Sequence, residues 1–140
     1  MRPITLRGEP LARGAMPAVC IPLVARTADA LLAEAEAAAA KRPDLVEWRV
    51  DHFEGIADSI GVAGLAVRLK QAAEGLPILF TCRSAREGGA AVPLSDDGIA
   101  ALHAAVAESR AVRVAARPAR RAGRRSAAGP VPKLAAPPRR

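Results

Sequence analysis

Aromatic residues are almost missing from these 140 residues: there are two Phe, one Trp and no Tyr. Large core side chains are therefore few. The hydrophobic fraction of 51% overstates the core-forming material, because 34 of those residues are Ala, which buries little area beside a Leu or Phe. Cysteine is as scarce. Cys20 and Cys82 sit inside apolar runs and not in a spaced framework, which argues against a disulfide scaffold and a zinc site and for a reducing cytoplasm. No apolar run approaches the roughly 18 residues that cross a bilayer. The start, MRPITLRGEP, is not followed by an apolar stretch with a small-residue cleavage site, so no secretory signal is expected either.

Acidic residues are absent from the last 31 positions. Residues 1–109 hold 11 Lys and Arg against all 14 Asp and Glu, whereas 110–140 hold ten basic residues and no acid. The net charge of +7 thus describes neither a mildly acidic domain over 1–109 nor a basic tail over 110–140. Ala, Arg, Pro and Gly make up 25 of the 31 tail residues, and these four are the residue types encoded by codons that begin with two G or C bases. That composition is expected from a shifted reading frame of a GC-rich gene, with the break near codon 109. Residues 111–116 (AVRVAA) can form a brief alternating strand, but periodicity stops at Arg117. The larger aliphatics Val112, Val114, Val131 and Leu134 are too few to offset the entropy of ordering the segment, so the tail reads as disordered.

Before the tail, strands and helices alternate. Residues 18–24 (AVCIPLV) suit a short buried strand. Thr27 can cap the next helix, with Asp29 in its first turn, and the Ala-rich ADALLAEAEAAAAK continues it until Pro43. A second strand is expected over 45–50 (LVEWRV), a second helix within 56–74 ending at Gly75, and a third strand over 77–82 (PILFTC). Ser95 or Asp96 can cap a third helix reaching Glu108. An extra strand over 4–7 precedes these units. The pattern is that of a parallel α/β sheet. Three units cannot close a barrel, and an open sheet would expose a hydrophobic edge, so residues 1–109 read as the opening part of something larger.

Two stretches carry chemistry. In EWRVD, alternation places Glu47, Arg49 and Asp51 on one face of the second strand and Trp48 and Val50 on the other. Three charges cannot lie against a dry core without a large desolvation cost. They form either a polar site at the strand end or a self-satisfied ion network that closes the sheet. The third strand ends similarly, with Arg83 just past it and Glu87 one loop later beside Gly88 and Gly89. These two are either a surface salt bridge or the second half of a pocket for a polyhydroxylated or anionic small molecule. No G-x-G-x-x-G or G-K-[ST] motif is present. His52 reads as a loop residue on the face opposite Asp51, and His103 as a helical residue. Lys41, Lys70 and Lys133 all lie outside the apolar strands, where burial would prepare a Schiff-base amine.

Taken together, VCIPLV, EWRVDHFEG and LFTCRSAREGG resemble type I 3-dehydroquinate dehydratase, a lyase of the shikimate pathway, from about Ile4 to about Ser109. The resemblance implies the first three units of a (β/α)8 barrel, a fold of about 250 residues. It implies that Glu47, Arg49 and Arg83 hold the ring hydroxyls of 3-dehydroquinate, and that Glu87 lies near the catalytic histidine and orients it. The family's reaction gives 3-dehydroshikimate through a lysine Schiff base, with the histidine abstracting the adjacent proton. Both residues belong to later strands and have no counterpart here, so the chain is expected to be inactive. The resemblance implies no metal or organic cofactor, a cytoplasmic location, and compatibility with a homodimer for the full-length family member. Pro22 stands where some relatives carry a Ser. Two other functions compete with this reading. One is a basic tail that binds nucleic acid or another polyanion, weakened by the lack of aromatic residues to stack on bases. The other is a half-barrel that associates with a partner through its open edge.

Overall fold

The computed structural model describes Thr5–Leu6, Glu9–Pro10 and residues 17–114. The tail expected over 115–140 lies outside the described residues. Strands β1 (Thr5–Leu6) and β2 (Glu9–Pro10) pair antiparallel with each other. The expected strand over 4–7 thus belongs to a separate hairpin, while its first and last residues are not described.

The main sheet has the order β3 (Cys20–Leu23), β4 (Leu45–Arg49), β5 (Ile78–Thr81) and β6 (Arg113–Val114), with every neighbouring pair parallel. Three helices connect the strands: α1 (Ala28–Ala40), α2 (Ser59–Ala72) and α3 (Asp96–Glu108). The fourth strand falls within the brief alternating segment expected over 111–116 and carries the sheet past the boundary drawn at residue 109. The sequence signal there was two valines in an Ala/Arg background, too short to separate a strand from the composition around it.

Each helix begins on a side-chain cap. The Thr27 hydroxyl accepts from the Ala30 N–H, the Asp58 carboxylate from the Gly61 N–H at 2.9 Å, and the Ser95 hydroxyl from the Gly98 N–H at 3.1 Å. Ser95, not Asp96, is therefore the cap of α3. α2 ends at Ala72, and the chain leaves it through left-handed Glu74 (φ 51°) and Gly75 (φ 75°), the glycine expected at the end of the helix. Alanine suits α1 beyond its propensity: Ala35, Ala38 and Ala39 are buried with Leu31, so small side chains let the helix lie close to its neighbours.

The helices cover one face of the sheet only. Ile21, Leu23, Val46, Trp48, Ile78 and Phe80 share that face, and all but the half-buried Ile21 are fully enclosed. Trp48 stacks edge-to-face on Phe80 (5.2 Å between centroids) and on Phe53 (6.1 Å), and His103 of α3 packs edge-to-face on Phe80. The three aromatics of the chain thus form one cluster, and His103 is a packed helical residue. On the other face, Cys20, Pro22, Leu45, Glu47, Arg49, Leu79, Thr81 and Arg113 are half-buried or exposed. Val19 and Val24, at the two ends of the edge strand β3, are exposed as well. Among the described residues no helix is long and apolar enough to cross a membrane.

Because Trp48 is the only tryptophan and is fully enclosed, its fluorescence reports the packing of the helical face. Emission is expected to be blue-shifted and protected from iodide in the folded chain. Phe80→Ala should lower the unfolding free energy followed by that signal in urea by about 3–5 kcal/mol; an unchanged midpoint would remove Phe80 from the core.

Candidate active site

Strand β4 stops at Arg49, and Val50–His52 form a 3-10 turn. This turn corrects the expected alternation. Asp51 does not continue the strand but folds back beneath Arg49, and its side chain is completely enclosed. The two residues form a fork: Arg49 Nε donates to Asp51 Oδ1 at 2.9 Å and Nη2 to Oδ2 at 2.8 Å. The same carboxylate accepts the Arg83 N–H at 3.3 Å and the Ala90 N–H at 3.0 Å. One buried side chain thereby joins the end of β4, the end of β5 and the loop leading to α3.

Burial opposes ionisation of Asp51 most strongly. The Arg49 fork, the two backbone donors and the Arg49 charge together outweigh it, and they lower the carboxyl to about 2. The Asp51 bond in turn raises the Arg49 guanidinium above its usual range, against the opposing effect of burial.

Glu47 lies two residues before Arg49 on the same open face. Its Oε1 accepts from the Thr81 hydroxyl at 2.7 Å, across from β5. Thr81 carries no signal of this role in the sequence; its register partnership with Arg49 is the feature that puts it on the Glu47 face. Cys20, also on this face, has its thiol raised by burial and then by the Glu47 charge. Arg83 is exposed at the end of β5, fixed through its backbone by Asp51. Glu87 closes a second 3-10 turn, Ala85–Glu87, and its Oε2 accepts from the Ser84 hydroxyl at 2.8 Å.

The glycine pair that follows Glu87 has two separate causes. Gly88 adopts a left-handed φ of +84°. At Gly89, a Cβ would run into the Arg83 carbonyl, so only glycine permits the loop to fold back over the strand end. His52 also departs from expectation. It does not lie opposite Asp51: its Nε2 is 3.5 Å from Arg49 Nη2 and 3.6 Å from Asp51 Oδ2. Among the described residues no group of three His, Cys, Asp or Glu side chains is placed to hold a metal ion.

The family model of type I 3-dehydroquinase matches residues 19–115. The chain belongs to the type I 3-dehydroquinase family. Among its relatives, the 3-dehydroquinate dehydratase of Albidiferax ferrireducens is 44% identical over 111 residues, covering 79% of this chain and 42% of that protein. That of Aromatoleum aromaticum is 45% identical over 111 residues, covering 79% and 43%. The crystal structure of 3-dehydroquinate dehydratase from Geobacillus kaustophilus superposes with a TM-score of 0.74 at 39% identity, over 79% of this chain and 43% of that one. A type I enzyme structure from Clostridium difficile, with covalently modified comenic acid, gives 0.72 at 27% identity over 79% of this chain and 43% of that one. The chain spans about two fifths of the length of the type I 3-dehydroquinases it matches, and its four-stranded sheet is part of their barrel.

The depressed Asp51 pKa makes a stability prediction. A carboxylate whose folded pKa lies below its unfolded value stabilises the fold fully above the unfolded pKa. That contribution, on the order of 2 kcal/mol, is expected to disappear as pH falls from about 4 to about 2. Asp51→Asn should cost about 3–5 kcal/mol at neutral pH, because Arg49 is left enclosed without its counter-charge. It should also flatten the acid limb of stability against pH. Equal acid limbs in the parent and variant would disprove the assignment.

Proposed function

We propose that residues 19–115 form the substrate-contacting part of a 3-dehydroquinate dehydratase, with Glu47, Arg49 and Arg83 as the residues that meet the ring hydroxyls. The observation that supports this most is the open sheet face, where Glu47 and Arg49 sit side by side at the C-terminal end of β4. In parallel α/β folds this end of the strands lines the active site. Each residue is already set by a partner: Thr81 donates to Glu47, and Asp51 forks Arg49. Glu47 keeps lone pairs to accept substrate hydroxyls, and Arg49 and Arg83 donate to hydroxyl oxygens. Glu87, held by Ser84 at the rim, is suited to orienting a histidine brought by another strand.

The dehydration in this reading is covalent. A lysine amine condenses with the substrate ketone, releasing water and forming an iminium. A histidine takes the proton from the adjacent carbon and the electron pair moves onto the iminium nitrogen. The resulting enamine returns the pair and expels the hydroxyl of the next carbon, which the protonated histidine converts to water. Hydrolysis of the remaining iminium releases the product and restores the amine. Lys41 and Lys70 do not supply that amine. Lys41 caps α1, and Lys70 lies in α2 with its Nζ donating to the Leu76 carbonyl at 3.3 Å. Residues 19–115 therefore carry binding and orientation, and the nucleophile belongs to other strands of the barrel.

The 140-residue chain is expected to bind 3-dehydroquinate without dehydrating it, and borohydride should trap no covalent adduct by mass spectrometry. Glu47→Gln and Arg49→Met should each weaken binding by about tenfold or more, the weight of a charge-assisted hydrogen bond. Unchanged affinity in both variants would sink the assignment of these residues. Turnover or a trapped adduct would sink the division between binding and chemistry.

A further inference from the structure

We propose that His52 is a positioning residue for Arg49, accepting a guanidinium hydrogen at Nε2 and held by it as the neutral Nδ1–H tautomer. The inference rests on the reading of Arg49 as a substrate contact, and the geometry adds what sets the orientation of that contact.

Arg49 carries five N–H hydrogens and no acceptor. Two are committed to Asp51, one from Nε and one from Nη2. The second hydrogen on Nη2 is not used by Asp51, and His52 Nε2 lies 3.5 Å from that nitrogen. An approach between these two nitrogens is favourable in one protonation state only. Nε2 must present its lone pair, which places the imidazole proton on Nδ1. With Nε2 protonated, two donors would face each other, and the imidazolium would compete with Arg49 for Asp51 Oδ2, which is 3.6 Å away.

The consequence lies at the other end of the guanidinium. A fork to Asp51 alone fixes the plane of the group along one edge. A second contact at Nη2 restrains the tilt of that plane about the fork. Nη1, with its two hydrogens, is then the part of Arg49 left for a hydroxyl oxygen on the open face. His52 reaches this place because the chain turns into the 3-10 segment immediately after Arg49, which brings the residue three positions on back beside Arg49. It is about one-third exposed and also lines a cleft of about 340 Å³ with Arg26, Phe53, Glu54 and Ala90, so its ring is not fixed by core packing.

The tautomer can be read directly by ¹⁵N NMR of the imidazole in the 140-residue chain, at a pH above the ordinary histidine range. The Nδ1–H form is expected, whereas free imidazole side chains prefer Nε2–H. Arg49→Met should return His52 toward that solution preference, and His52 in the Nε2–H form in the parent chain overturns the proposal. Titration with 3-dehydroquinate gives a second reading. His52→Leu should weaken binding about fivefold, the weight of one ordinary hydrogen bond, while His52→Gln, whose amide oxygen can accept, should stay within about twofold. Equal loss in both variants would make His52 a packing residue and refute the proposal. Failure of the parent chain to bind 3-dehydroquinate, with the Nδ1–H form present, would refute the substrate reading and leave the Arg49–His52 contact established.

Discussion

The geometry of the strand ends depends on one enclosed carboxylate. Asp51 accepts four hydrogen bonds: two from the nearby Arg49 side chain, and one each from the Arg83 N–H and the Ala90 N–H, which lie far along the sequence. A buried carboxylate with fewer partners would be protonated or would pull water into the sheet. With four, it is a rigid pin. The Arg49 guanidinium, the start of the loop carrying Arg83 and the return of that loop at Ala90 are fixed relative to one another. Gly89 completes the arrangement, because only a residue without a Cβ lets the loop fold so closely over the Arg83 carbonyl. The EGG segment is therefore as much a backbone requirement as a chemical one.

The sheet divides its two faces by cost. On the helical face the chain concentrates its few large side chains, Trp48, Phe80 and Phe53, and fills the remaining space with Leu, Val and Ala. The opposite face carries Glu47, Arg49, Thr81 and Arg113. Parallel sheets ordinarily have both faces covered. Here one face is dry and the other polar, which is the arrangement a barrel needs when its interior holds a hydrophilic ligand. Val19 and Val24, beside the edge strand β3, are exposed.

The parallel α/β architecture was legible because its signals are local: apolar runs of four to seven residues, Thr27 and Ser95 as caps, and Gly75 as a stop. Glu47 and Arg49 were legible because a period of two places them together on a face that cannot be dry. What the sequence concealed was non-local or subtle. The 3-10 turn after Arg49 leaves no compositional mark, yet it brings Asp51 between the ends of β4 and β5 and swings His52 to the Arg49 side. Thr81 gains its role only through pairing with β4, thirty-four residues earlier in the hydrogen bond it makes. The fourth strand was hidden by the Arg- and Ala-rich composition in which it lies. Its two residues, Arg113 and Val114, pair with Leu79 and Phe80 of β5.

Binding and chemistry in this fold have different structural requirements, and the difference explains what residues 19–115 can hold. A hydroxyl contact needs a donor or acceptor in fixed orientation. Glu47 and Arg49 obtain that orientation from Thr81, Asp51 and His52, all within the same two strands and the turn between them. A Schiff-base amine needs a depressed pKa, which comes from desolvation inside a closed, water-poor cavity. An open sheet with one solvated face supplies the first and not the second. In the proposed reading, contact with the ring hydroxyls is therefore a local property of strands β4 and β5, whereas activation of the nucleophile requires the closed barrel.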